Sequence, residues 1–130
     1  MSEEKVEILR RSYEARNAGD LEAWSEFLAS DVVWRVMPDW PEQGPFIGRE
    51  AVLAQVRQLS DTFKSDTFES IDRIDSGDKI VDRLIWRGLG HGPSMNMEMS
   101  CVFTFREGKI IAFEYFWDHA EALKAVGLEE

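Results

Sequence analysis

The stretch from Met97 to Trp117, MEMSCVFTFREGKIIAFEYFW, limits what this chain can fold into more than any other part of it. Two alternating runs flank Glu107-Gly108. Side chains two apart on a strand point the same way. On the first run Met97, Met99, Cys101, Phe103 and Phe105 therefore share a face, opposite Glu98, Ser100, Val102 and Thr104. On the second, Phe113, Tyr115 and Trp117 share a face, opposite Ala112, Glu114 and Phe116. Glycine supplies the positive φ of a tight turn, so Glu-Gly between such runs predicts a hairpin. A sheet face so rich in Met, Cys and aromatic residues must be covered by helices or must line a cavity.

The rest of the chain supplies the cover. Ser2 is placed to cap a first helix, with Val6, Leu9 and Tyr13 at helical spacing. Gly19 suits the position just past that helix, and Asp20 the cap of the next. Leu21, Trp24 and Leu28 mark the stripe of this short second helix, which Ala29-Ser30-Asp31 ends. Val32 to Met37 reads as a strand, with Trp34 and Val36 on one face and Val33 and Arg35 on the other. Pro38 to Gly48 has three prolines and two glycines and is predicted to be a loop. Its aromatic residues, Trp40 and Phe46, either plug the core or form the lip of a pocket. Arg49 to Phe63 is a third helix, with Val52, Val56, Leu59 and Phe63 on one stripe. Thr67 to Asp75 reads as a strand in which Phe68, Ile71 and Ile74 are three apart, which predicts a bulge or an edge. In Lys79–Arg87, Asp82, Leu84 and Trp86 alternate with Val81, Arg83 and Ile85. Asp118 caps a last short helix, with Glu121 three residues on, and Gly127 closes it. Helices followed by a run of antiparallel strands indicate an α+β fold, one curved sheet wrapped around helices.

A chain of 130 residues with 44% hydrophobic and 31% charged residues is expected to form a single domain, residues 1–130, with a real core. Its formal net charge of −10 disfavours nucleic acid and anionic membranes as partners, since both require a basic surface. Cys101 is the only cysteine, so no internal disulfide can form. With an N-terminus that lacks the apolar run of a secretion signal, this is compatible with a cytoplasmic protein.

The segments NAGDLEAWSEFLASDVVW, GREAV, FREGKI and YFWDHAEALKAVGL resemble the SnoaL-like branch of the nuclear transport factor 2-like superfamily, in order and spacing over nearly the whole chain. The resemblance implies a cone-shaped α+β barrel, open at one end, with an apolar pocket between sheet and helices. It also implies dimers formed through the outer sheet face, where Val102, Phe116, Arg83 and Glu114 fall. Members include polyketide cyclases, ketosteroid isomerases, limonene epoxide hydrolases and dehydratases, so the fold leaves the reaction open. Ketosteroid isomerases use an Asp base and an oxyanion hole of Tyr and protonated Asp. In the register of the resemblance Ser12 takes the tyrosine position, Val36 the base and Cys101 the acid, so this machinery is missing. Tyr13 is one residue off, roughly 100° around a helix. The Arg and two Asp of the epoxide hydrolases are matched only in part, by Arg83 and Glu114, with Ile85 in the third place.

The residues that remain carry two readings each. His91 is a general base near the mouth or a solvated loop histidine. Tyr115 donates a hydrogen bond to a ligand carbonyl or is a core tyrosine. Asp39, beside Trp40, is a candidate base in a loop over the opening or a turn aspartate. Asp118 and His119 are an acid/base pair or a helix cap and its exposed neighbour. Arg83 and Glu114 also suit a cross-strand ion pair. Cys101 is read as an inert small hydrophobe. Scattered His and Cys give no metal site, and no phosphate loop or cofactor motif is present in the sequence. The expected pocket is lined by Trp34, Val36, Trp40, Met97, Met99, Cys101, Phe113 and Trp117, with Asp39, Tyr115 and His91 as candidate catalytic groups. Two functions fit. One is a cofactor-free acid/base enzyme (isomerase, cyclase, dehydratase or epoxide hydrolase type) acting on an apolar carbonyl compound or epoxide. The other is a non-catalytic binding or dimerisation module whose cone is filled by its own side chains.

Overall fold

The computed structural model describes residues 2–63, 65–90 and 93–128, of residues 2 and 3 the backbone alone. Helix α1 runs Ser2–Asn17, α2 Leu21–Ser25, α3 Arg49–Asp61 and α4 His119–Ala125. Strands are β1 Leu28–Arg35, β2 Phe46–Ile47, β3 Ser65–Ser76, β4 Lys79–Leu89, β5 Met95–Arg106 and β6 Lys109–Phe116. They form one curved, unclosed sheet in the order β2-β1-β6-β5-β4-β3. Every pairing is antiparallel except that of β1 with β6.

Local signals decide most boundaries. Gly19 has φ +78 and ends α1: its N–H bonds the Arg16 carbonyl at 3.1 Å while the Asp20 N–H reaches that of Ala15 at 3.0 Å. Asp20 then turns its side chain to accept the Ala23 N–H at 3.1 Å, so one residue closes α1 and caps α2. The same logic ends the chain. Asp118 caps α4 through the Ala120 N–H at 2.9 Å, and Gly127, at φ +78, closes it with Leu128 N–H on the Leu123 carbonyl at 2.8 Å. The hairpin turn is at Glu107-Gly108, both at positive φ, 52° and 77°. β3 is the sheet edge and also shifts register between Ser70 and Asp72, leaving Ile71 48% exposed, so it is both bulged and an edge.

Two segments differ from expectation. The second helix ends at Ser25, and Leu28 belongs to β1, where its register partner is Ile110 of β6. Burial against the sheet overrides the helical spacing of Leu21, Trp24 and Leu28. The proline-rich segment also contributes β2, which pairs Phe46 with Trp34 and Ile47 with Val33. The proposed cap at Ser2 lies outside the described side chains.

Helices α1 to α3 cover the inner face of the sheet, and α4 lies on the outer face against β4, β5 and β6. The main core joins Leu9, Trp24, Val52 and Val56 of the helices to Trp34, Leu84, Met99, Cys101, Phe103 and Phe113 of the sheet. A second cluster on the outer face buries Val81 and Val102 under Ala122, Leu123 and Val126, with Phe116 packed alongside. Val102 and Phe116, expected to need a second subunit as cover, therefore meet the chain's own α4.

Candidate functional site

Between the inner sheet face and the helices lies a cavity of about 350 Å³. Its walls are apolar. β5 and β6 present Met97, Met99, Phe103, Phe113 and Tyr115, β4 presents Leu84 and Trp86, and α3 presents Val56 and Leu59. Alternation along the strands sends these side chains inward, as the hairpin pattern requires.

The space remains because the aromatic groups fill the core around it rather than through it. Trp34 stacks on Phe113 with ring centres 5.5 Å apart and packs against Phe46 at 5.1 Å, so Phe46 is the loop aromatic that plugs the core. Trp40 takes the other role. With Trp117, 6.0 Å from it, it forms the lip of the cavity. The Trp117 indole N–H donates to Asp39 Oδ1 at 2.9 Å. Asp39 is exposed at this rim.

A polar cluster is set into the apolar wall. Arg16 and Asp66 line the cavity, with side chains only 6% and 7% exposed. The guanidinium meets the carboxylate end-on, Nη2 to Oδ2 at 2.6 Å and Nη1 to Oδ1 at 3.2 Å. The Trp86 indole N–H donates to Oδ2 at 3.1 Å, and the Ser60 hydroxyl lies 3.4 Å from Oδ1. Burial alone raises the Asp66 pKa. The hydrogen bonds and charge of Arg16, with help from Trp86 and Ser60, more than offset this and hold it below the usual carboxylate range. Gly88 is the register partner of Asp66 on β4. A Cβ there would stand 2.5 Å from the Trp86 ring and 3.0 Å from Phe63, so only glycine lets the indole lie where it reaches Asp66.

Behind the wall sits a second acid, Asp82, with no exposed surface. The Tyr13 hydroxyl donates to its Oδ2, and the Ser70 hydroxyl to Oδ1 at 2.5 Å. Arg73 Nε approaches Oδ1 to 3.4 Å. Burial pushes the Asp82 pKa up against these partners. Burial, and then the Asp82 charge, push the Tyr13 hydroxyl well up as well. Sequence reasoning passed over both acids. Asp82 did carry a signal, an acid on the inward face that Leu84 and Trp86 share. Asp66 carried none, because its partner lies on a helix fifty positions earlier in the chain.

Tyr115 lines the cavity, and its hydroxyl makes no hydrogen bond to a described residue. Burial is the main cause that raises its pKa. Cys101 adds to this, while the Arg16 charge works against it. The hydroxyl stays a neutral O–H donor at any physiological pH.

Of the expected pocket residues, Trp34, Trp40, Met97, Met99, Phe113 and Trp117 line the cavity. Val36 and Cys101 do not: both pack into the core around it. Cys101 is fully buried, and burial lifts its thiol well above the ordinary value. Ser12 lines the cavity but spends its hydroxyl on the Leu9 carbonyl at 2.8 Å. Arg83 pairs with Glu98, Nη2 to Oε2 at 2.6 Å, rather than with Glu114, because Glu98 is its outer-face neighbour on β5. His119 is half-buried rather than exposed, with its Nδ1 2.7 Å from Ser100 Oγ on the outer face, away from the cavity. His91 lies outside the described residues. No group of three or more His, Cys, Asp or Glu among the described residues is arranged to hold a metal ion.

Comparison with known proteins gives a consistent result. Residues 9–113 match the profile of the SnoaL-like domain. An NTF2-like protein of unknown function from Burkholderia pseudomallei superposes with a TM-score of 0.78 at 26% identity, over 95% of this chain and 98% of that one. RV0760c from Mycobacterium tuberculosis, in complex with estradiol-17β-hemisuccinate, gives 0.77 at 20% identity, over 87% and 92%. TerC, co-crystallised with polyporic acid, gives 0.78 at 18% identity, over 95% and 97%. No curated protein matches the sequence.

Proposed function

The chain belongs to the SnoaL-like domain family, and on that premise we propose that it takes up an apolar small molecule carrying a carbonyl group, in the manner of a cofactor-free acid/base enzyme. The observation that carries this is the combination of an open apolar cavity of about 350 Å³ with ionisable groups buried in its wall. Small-molecule sites commonly measure about 300–1,000 Å³ and pair apolar walls with a few polar groups. A module filled by its own side chains has no use for such a space. Two similar folds were crystallised with molecules of suitable character, an estradiol hemisuccinate and polyporic acid.

In this reading Tyr115 donates its proton in a hydrogen bond to the ligand carbonyl. Asp39 at the rim is the exposed carboxylate that exchanges protons with the reacting carbon. The Trp40–Trp117 lip sheds water from the entrance. The net charge of −10 fits a partner that is neither nucleic acid nor an anionic membrane. No described helix is long and apolar enough to cross a membrane, and a cytoplasmic location stays part of the proposal. So does a homodimer through the outer face, where Ile85 is only half-buried. Native mass spectrometry of freshly purified protein tests the central claim. A co-purified species of a few hundred daltons, lost on denaturation, is the expected result. A protein that carries no ligand and takes up none from a panel of apolar ketones overturns it.

A further inference from the structure

We infer that the cavity wall beside Asp66 is built to receive an acceptor oxygen, carbonyl or carboxylate, between the Tyr115 hydroxyl and the Arg16 guanidinium, and that it rejects ammonium groups. The inference rests on the small-molecule reading above and narrows it to a ligand chemistry.

Donors and acceptors in this wall do not balance. Asp66 has about four acceptor positions on its two oxygens. Arg16 takes one on each oxygen, Trp86 a second on Oδ2, and Ser60 a second on Oδ1. The carboxylate is therefore spent, and offers a ligand nothing. Arg16 is not spent. Of its five N–H groups the end-on pairing uses two, one on each Nη, and the Nε–H makes no hydrogen bond to a described residue. That nitrogen is also not sealed, unlike the buried and unpartnered Nε of Arg49. Tyr115, on the wall of the same cavity, supplies a further unused donor. The surplus in this pole of the cavity is thus donor in character. An oxygen acceptor satisfies it. A ligand ammonium beside Arg16 would meet a guanidinium whose own carboxylate partner is already fully engaged, and unpaired buried polar groups are costly.

Four probes of one aromatic body separate the possibilities: naphthalene, naphthyl methyl ketone, naphthoate and naphthylmethylamine, each measured by equilibrium dialysis at neutral pH. The ketone or the naphthoate is expected to bind at least about fivefold tighter than naphthalene, and the amine weaker, since one hydrogen bond is worth roughly a factor of ten. The ketone and naphthoate arms tell a neutral oxygen from an anionic one. In Tyr115→Phe the ketone-to-naphthalene ratio should fall toward one. Arg16→Lys keeps a cation for Asp66 but loses the fork, and should lower the naphthoate ratio, with circular dichroism checking the fold. If naphthalene and the amine bind as well as the oxygen-bearing probes, the inference is wrong and the cavity reading stands. If none of the four binds, the cavity reading fails with it.

Discussion

The Tyr13 hydroxyl donates to Oδ2 of Asp82 and so ties the middle of α1 to the centre of β4. Neither group reaches water freely. Tyr13→Phe removes the donor and leaves a buried carboxylate oxygen short of a partner, which costs about 1–3 kcal/mol. Chemical denaturation at neutral pH measures it. A change below a few tenths of a kcal/mol would show that the bond contributes nothing to the fold.

The same acid sets a pH dependence. The folded pKa of Asp82 is raised, so the native state binds more protons than the unfolded state between the unfolded value, roughly 3.9, and the folded one. This group's contribution to stability therefore falls as pH rises through that window. Asp82→Asn escapes the penalty. Its cost relative to wild type should be smaller at pH 7 than near pH 4, by denaturant midpoints at the two values. An equal or larger cost at pH 7 would reverse the assignment.

Asp66 carries the opposite sign. Its folded pKa is lowered, so its contribution is present above the unfolded value and is lost as pH falls through the folded one. Asp66→Asn leaves Arg16 charged and unpaired in a buried wall. The expected loss is about 3–5 kcal/mol at neutral pH, shrinking in acid. A cost that is constant with pH would mean that the ion pair is not the cause.

Gly88→Ala places a methyl group against the Trp86 ring. The ring must move and the N–H···Asp66 bond weakens. Overpacking of this kind costs about 1–3 kcal/mol, and indole fluorescence should shift with the displaced ring. An unchanged spectrum and melting midpoint would show that the strand yields instead of the indole.

Catalysis and assembly have their own tests. In any assay that detects turnover, Asp39→Asn should lose at least about tenfold with the fold intact, and Tyr115→Phe less, given that proton transfer is worth roughly 10²–10⁴. A β,γ-unsaturated keto-steroid should not isomerise above buffer background, because Ser12, Val36 and Cys101 supply no ionisable carboxylate. Light scattering at tens of micromolar should give a dimer mass, and a monomer would remove that part of the proposal.

What could be read in the sequence was local. The hairpin, the double use of Gly19 and Asp20, the cap at Asp118 and the bulged edge at Ile71 follow from neighbours within a few positions. The inward face of β5 and β6 followed from a period of two. The Arg16–Asp66 pair could not be read this way, since nothing near either residue names the other. Cys101 points to the inner side of the sheet but lies behind the cavity wall, and Val36 falls just past the end of β1 and packs on the core. Alternation tells which way a side chain points, and only packing tells whether another side chain stands in front of it. Leu28 shows the reverse failure, a residue whose helical spacing is outvoted by a strand at the far end of the chain.

That long-range pairing has a kinetic consequence. β1 lies beside β6, the last strand to be made, and between them stands every other strand of the sheet in sequence. During synthesis Trp34 and Val32 have only the two-residue β2 beside them until nearly the whole chain has left the ribosome. Closing so large a loop carries an entropic cost before any contact repays it, which slows folding. The hairpin and the β3–β4 ribbon, joined by short turns, can form early and hold their apolar faces exposed while they wait. A chain shortened before Lys109 therefore leaves β1 without its neighbour and the inner face open, a state prone to self-association rather than a smaller working domain.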